Sequence, residues 1–155
     1  MLKLVFPLLL FYSLTLAGQS KSIDRFRKEF KEDNNVFIYS STLQMLNTEK
    51  NAEFNEMTKD IEEIRVLNYT RATQKFTPEE VTALKSSLKK ESYAELMMIN
   101  EKENKISLYG REKHGETVGF VALVENAETF IIIDVDGKLD VQKFMQLKSK
   151  LDTKL

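Results

Sequence analysis

The sequence predicts an α+β fold, a largely antiparallel sheet of about six strands with helices packed mainly on one face. Three observations lead there. The second half of the chain holds four strand-like runs, residues 93–100, 105–112, 117–125 and 129–136, separated by short polar links. Consecutive strands joined in this way form an antiparallel meander. Two further runs rich in aromatic and β-branched residues, Val36–Tyr39 and Ile64–Tyr69, supply the other strands. Elsewhere apolar residues recur at spacings of three and four, the period of a helix with one buried stripe.

The chain opens on a leader. Lys3 precedes an apolar stretch, Leu4 to Leu16, interrupted only by Pro7, Tyr12, Ser13 and Thr15. Small Ala17 and Gly18 follow, then polar Gln19-Ser20-Lys21-Ser22. Charge, short apolar core and small-residue cleavage site are the layout of a secretory signal peptide. The apolar part falls short of the roughly 20 residues that a membrane-spanning helix needs. The expectation is an exported protein, periplasmic or secreted and soluble after cleavage, with residues 1–18 as signal peptide. Residues 19–155 are then one α+β domain, since no repeat, low-complexity tract or Pro/Gly-rich linker divides them.

The helices have local causes. Ile23, Phe26 and Phe30 form the inner stripe of a helix from Ser22, its expected N-cap, to Asp33, with Arg25 and Lys28 outside and Asn34-Asn35 ending it. Thr42 to Glu63 carries Leu43, Leu46, Phe54, Met57 and Ile61 at helical spacing and reads as one or two short helices. Thr77-Pro78-Glu79-Glu80 combines a capping hydroxyl, a proline at the first helical position and an acid at the third. Val81, Leu84 and Leu88 continue that helix to about Glu91. Leu139 to Leu151 closes the chain as a helix with Val141, Phe144, Leu147 and Leu151 inward.

Two strands carry more apolar residues than one buried face requires. Val118, Phe120, Ala122 and Val124 point one way and Val121 and Leu123 the other, while Phe130-Ile131-Ile132-Ile133 is apolar on both sides. A sheet with one wet face alternates more cleanly. Helices cover one face of these strands. An element of the same chain, a second protomer or a ligand covers the other.

Composition excludes several functions. The chain has 23 basic and 24 acidic residues and one basic residue in the leader, so residues 19–155 carry a formal charge of −2. That balance gives no basic face for nucleic acid. No cysteine is present, which removes disulfides, thiol catalysis, cysteine metal sites and a cysteine-linked lipid anchor. His114, the only histidine, sits beside Gly115 in an expected tight turn rather than beside an acid and an activated hydroxyl. Asp134, Asp136 and Asp140 around Gly137 form a D-x-D-G-x-x-D string, but the twelfth position counted from Asp134 is Met145, not the glutamate of a calcium loop. The plainer reading makes Asp136-Gly137 a turn and Asp140 a helix cap. Asn68-Tyr69-Thr70 fits the glycosylation triplet, which has no meaning in a bacterium without that pathway. Glu62-Glu63 and Glu79-Glu80 are neighbours in sequence that do not face one another on a helix. No catalytic, cofactor-binding or metal-binding residue is therefore assigned, and no cofactor.

From about Ile23 to Leu151 the chain resembles a bacterial family known as domain of unknown function 4252, found mostly in Bacteroidota. Val36-Phe37-Ile38-Tyr39-Ser40, the segment Ile61 to Leu67, Ser92 to Met97, Ile106 to Tyr109 and Ile132 to Asp140 carry the resemblance. It implies an exported α+β domain and supplies no established activity or site. Many members resemble lipoproteins, whereas this chain has no cysteine to carry a lipid. Gene neighbourhood in the family, beside extracytoplasmic-function sigma factors, implies a link to envelope signalling. The expected role is a non-enzymatic periplasmic interaction module that binds another envelope protein or itself. The alternative is a carrier of an apolar ligand or lipid, supplied by ten Phe and six Met.

Overall fold

From residue 93 onward the chain runs back and forth through short turns, and two earlier strands extend the sheet so formed. The structure, a computed structural model, describes residues 19–138. The leader 1–18 and the closing helix expected over 139–151 lie outside the described residues. The elements are α1 (Lys21–Glu29), β1 (Asn34–Tyr39), α2 (Ser40–Leu46), α3 (Ala52–Thr58), β2 (Ile61–Thr70), α4 (Pro78–Lys90), β3 (Tyr93–Glu101), β4 (Asn104–Lys113), β5 (Glu116–Glu125) and β6 (Thr129–Gly137). All six strands form one sheet in the order β1-β2-β6-β5-β4-β3, and every neighbouring pair is antiparallel. This is the α+β architecture that the sequence predicts, with its four-strand meander β3 to β6.

The turns explain why the meander forms. His114 and Gly115 both have positive φ (55° and 78°), the twist a two-residue hairpin turn needs. Asn126 Oδ1 accepts the N–H groups of Glu128 and Thr129, closing the turn between β5 and β6. Gly137 has φ +121°, and a Cβ there would lie 2.2 Å from the Asp60 carbonyl oxygen. Only glycine fits where β6 meets the start of β2.

Three local expectations need correction. The N-cap of α1 is Ser20, whose hydroxyl accepts the Ile23 N–H; Ser22 is already helical and buried. The helical run expected over Thr42–Glu63 breaks into α2 and α3, and its last three residues belong to β2, where Ile61 pairs with Gly137 and Glu63 with Asp136. Asp136 is likewise in a strand, between Glu63 and Gly119, and Gly137 alone makes the exit. The α4 capping signal holds: Glu80 accepts the Thr77 N–H, and Pro78 opens the helix.

Register sorts the side chains onto two faces. On the first, Leu67, Tyr69, Tyr93, Tyr109, Val121, Leu123, Phe130 and Ile132 meet Ile23 and Phe26 of α1 and Val81, Leu84 and Leu88 of α4. Phe26, Tyr69, Phe76 and Phe130 pack with ring centroids 5.4–6.0 Å apart, mostly edge to face. The layer between the sheet and these helices is filled by side chains.

Candidate interaction surface

The second face of the sheet reads as three rows across the strands. The first row is Ile38, Ile64, Val135, Phe120 and Gly110; the second is Val36, Val66, Ile133, Ala122, Leu108 and Met97. The third is Asn34, Asn68, Ile131, Val124, Ile106 and Ile99. Leu43 of α2 closes the first row, forming a small core with Ile61, Phe120 and Val135. Among the described helices, α2 alone contributes to this core, and it contacts β1 and β2. The strands expected to be apolar on both sides, β5 and β6, are so. Val121, Leu123, Phe130 and Ile132 are fully buried on the helix side, and Ala122, Val124, Ile131 and Ile133 are half-buried on the other.

The apolar side chains that reach furthest into solvent lie at one edge. Val36 is 52 % exposed, Tyr39 53 %, Met45 78 % and Leu46 61 %. Tyr39 ends β1 and α2 begins at the next residue, so strand edge and helix share one surface. With Leu43 turned onto the sheet, Met45 lies about 200° further round the helix and points away from it. Leu46 shares the helical spacing of Leu43 but is exposed. The spacing of Leu43 and Leu46 is helical, but α2 is only seven residues long and ends at Leu46.

The two edge strands differ. β3 is interrupted by a bulge between Glu95 and Met97, and carries Glu95 and Glu101. Bulges and charges of this kind discourage further strand pairing. β1 pairs with β2 in an unbroken register, Asn34 to Tyr39 opposite Asn68 to Glu63, and contains neither charge nor proline. Its inner face is sealed at Phe37 by the Arg27 guanidinium, 5.4 Å from the ring centroid. Its outer edge has no strand beside it among the described residues.

Beneath α1 lies a buried ion pair. Arg65 Nη2 donates to Asp134 Oδ2 at 2.7 Å and Nη1 to Asp24 at 2.5 Å; Arg65 and Asp134 are both buried. Burial works against the Arg65 charge, but hydrogen bonds to Asp24 and Asp134 and the field of Asp134 hold its pKa above the usual value. Burial pushes the Asp134 carboxyl up to about 6, against the pull of Arg65 and a hydrogen bond from the Ser20 backbone. The D-x-D-G-x-x-D string draws attention to Asp134 for a cation loop that its spacing does not complete, and nothing in that string points to Arg65. The available signal was a charge flanked by apolar residues in each of two strands, Arg65 between Ile64 and Val66 and Asp134 between Ile133 and Val135.

The other sequence candidates are scattered. His114 is exposed in the β4–β5 turn. Asp140 lies outside the described residues, and no group of three or more His, Cys, Asp or Glu with metal-binding geometry occurs among those described. Asn68 is half-buried within the sheet rather than in a surface loop. Glu79 and Glu80 sit at the start of α4, and Glu62 and Glu63 on β2. An open cleft of about 600 Å³ lies where β6 leaves the sheet, lined by Lys59, Asp60, Glu62, Asp136 and Lys138 among others. Burial and then the neighbouring Glu62 raise the Asp136 pKa there. This set offers charge of both signs, with Ser40 in its lining.

Residues 26–147 match the family model described as Domain of unknown function (DUF4252). Neither the curated proteins nor the solved structures gave a match.

Proposed function

We propose that this chain, which belongs to the DUF4252 family, is a non-enzymatic interaction module that works in the cell envelope and binds another protein through the β1 edge and α2. The observation that carries the reading is the cluster Val36, Tyr39, Met45 and Leu46, more than half exposed beside a strand edge with no charge to protect it. A free edge offers backbone donors and acceptors to an extended segment, and flanking apolar side chains give that segment something to bury. The occupant is a protein segment that adds to β1 and covers Met45 and Leu46. Export rests on the leader-like residues 1–18, and envelope signalling on the family resemblance.

Native mass spectrometry of the full chain isolated from its own cell envelope tests the reading. The expected result is a complex of defined stoichiometry that falls to the monomer mass in a variant carrying Met45→Asp and Leu46→Asp. A monomer alone, or a complex indifferent to that variant, overturns it. A monomer with a stoichiometric small-molecule adduct replaces it with the carrier reading. Such a ligand would have to lie on the second sheet face, since side chains fill the space under α1 and α4.

A further inference from the structure

An edge strand pairs with a copy of itself only where the pairing keeps faces matched and brings no like charges together. A two-fold axis perpendicular to the sheet lays the two strands antiparallel and continues each face of one copy into the same face of the other. Residues near the axis then lie opposite or close to themselves, so a charge on the strand meets its own image. β1 satisfies this condition, since Asn34 to Tyr39 holds no charge. β3 does not: a two-fold through Met98 would set Glu95 opposite Glu101 of the second copy.

We propose that the occupant of the β1 edge is a second copy of this chain, paired β1 to β1 about a two-fold axis at Phe37, so that the two sheets become one. The inference rests on the reading of β1 as the binding surface and names its partner. Opposite residues must share a face, so the axis passes through a residue and not between two. At Phe37 it sets Val36 opposite Ile38 on the second face, and Asn35 opposite Tyr39 and Phe37 opposite itself on the helix side. At Val36 it would set Asn34 opposite Ile38 and Asp33 opposite Tyr39. At Ile38 it would run into α2, which begins at Ser40. The nearest charges fit the Phe37 register. Arg27 stands over Phe37, but Glu32 neutralises it at 2.7 Å, so two ion pairs rather than two bare cations meet at the axis. Glu63 flanks Tyr39, and that end of each copy meets the end of the other that carries exposed Lys31, where Asp33 is already occupied by Thr70 and Thr73. Val36, Tyr39, Met45 and Leu46 flank the same edge. With the strand itself, the two copies bury roughly 1,200 Å² in total, which reaches the lower end of a specific interface.

Native mass spectrometry of the full chain purified alone should show a dimer, and Val36→Lys should return it to the monomer mass. The chain has no cysteine, so single introduced thiols report the register. Phe37→Cys meets its own copy at about 5 Å between Cα atoms. Tyr39→Cys stands four residues from its own copy along the strands, about 14 Å away and beyond the reach of a disulfide. Mild oxidation should therefore give at least fivefold more linked dimer from position 37 than from 39. A mixture of Val36→Cys and Ile38→Cys chains, which leaves Phe37 in place, gives a second readout. Its mixed disulfide should exceed either self-linked dimer several-fold. A purified chain that stays monomeric, while a complex from the envelope still depends on Met45 and Leu46, overturns the second copy and keeps the edge as a site for a different protein. A dimer that survives Val36→Lys, or that links equally from 37 and 39, overturns the pairing at β1.

Discussion

The two faces of this sheet are built from the same strands and covered in different ways. On the helix side, aromatic rings from α1, β2, β6 and the loop before α4 interlock around Phe130, and a buried Arg65–Asp134 pair sits one step further along. On the other side the rows are more uniformly aliphatic, and among the described helices α2 alone packs there, at one end. Apolar content alone thus ranks the faces in the wrong order. The helix side tolerates an ion pair because both Arg65 Nη atoms donate to carboxylates, one to Asp24 and one to Asp134. Among the described residues, the rows of the second face that cross β6, β5 and β4 hold no charged side chain.

Adjacent residues of β6 test that contrast most strongly. Phe130→Ala opens a cavity among Phe26, Tyr69 and Phe76, and should cost about 4 kcal/mol. Ile131→Ala, one residue on and facing the other way, is half-buried and should cost about 2 kcal/mol. Urea denaturation of both variants measures the two values. Equal losses would mean that the second face is as tightly packed as the first.

The ion pair comes next in size. Arg65→Leu leaves Asp134 buried without its main partner and should cost about 3 kcal/mol at pH 7. The pH dependence has a definite sign. The Asp134 carboxyl is held at about 6 in the folded chain, above its ordinary value of 3.8. The folded state therefore binds the proton more tightly, so stability from this group grows as pH falls from about 6 towards 4 and is lost as pH rises. Asp136, also raised, acts in the same sense. Without Arg65 the carboxyl rises further, so the variant should recover part of its loss between pH 7 and pH 5. Denaturation at both pH values checks this, and a loss that grows on acidification would contradict it.

Much of the fold was legible because its causes are local. The meander announced itself through period-two runs and polar turns, and α4 through Thr77-Pro78-Glu79-Glu80. The beginning of β2 was not legible. Ile61 continues the helical spacing of Phe54 and Met57, and only pairing with Gly137, far along the chain, draws it into the sheet. The ion pair joins residues 69 apart, so neither strand alone shows that its charge is matched. The exposed cluster on β1 and α2 escaped for a related reason. Leu43 and Leu46 have the same residue type at helical spacing, and only the short helix and its docking angle separate a buried leucine from an exposed one.

A smaller effect separates the helix side into its own parts. The Ser20 hydroxyl caps α1 at Ile23 and also donates to Glu91 at the end of α4, where Ser22 donates too. Ser20→Ala removes a cap and one of these ties, and should cost about 1 kcal/mol, or about 4 °C in melting temperature. Thermal unfolding followed by circular dichroism measures it. A neutral result would mean that Ser22, Asp24 and the buried Ile23 and Phe26 dock α1 without help from Ser20.

The smallest effect on stability bears most directly on function. Val36→Lys changes a side chain already half in water on a free edge, so stability should move by less than about 0.5 kcal/mol. Lysine on an edge strand is also a common natural device against pairing with another chain. The complex expected at the β1 edge should therefore be lost while the fold is kept. Leu96→Lys makes the matching change at the β3 edge, where the bulge already breaks the register, and should leave the complex intact. Native mass spectrometry of the two variants, with their denaturation curves, separates binding from folding. If both lysines dissolve the complex, or neither does, the difference between the edges has no bearing on what the protein binds.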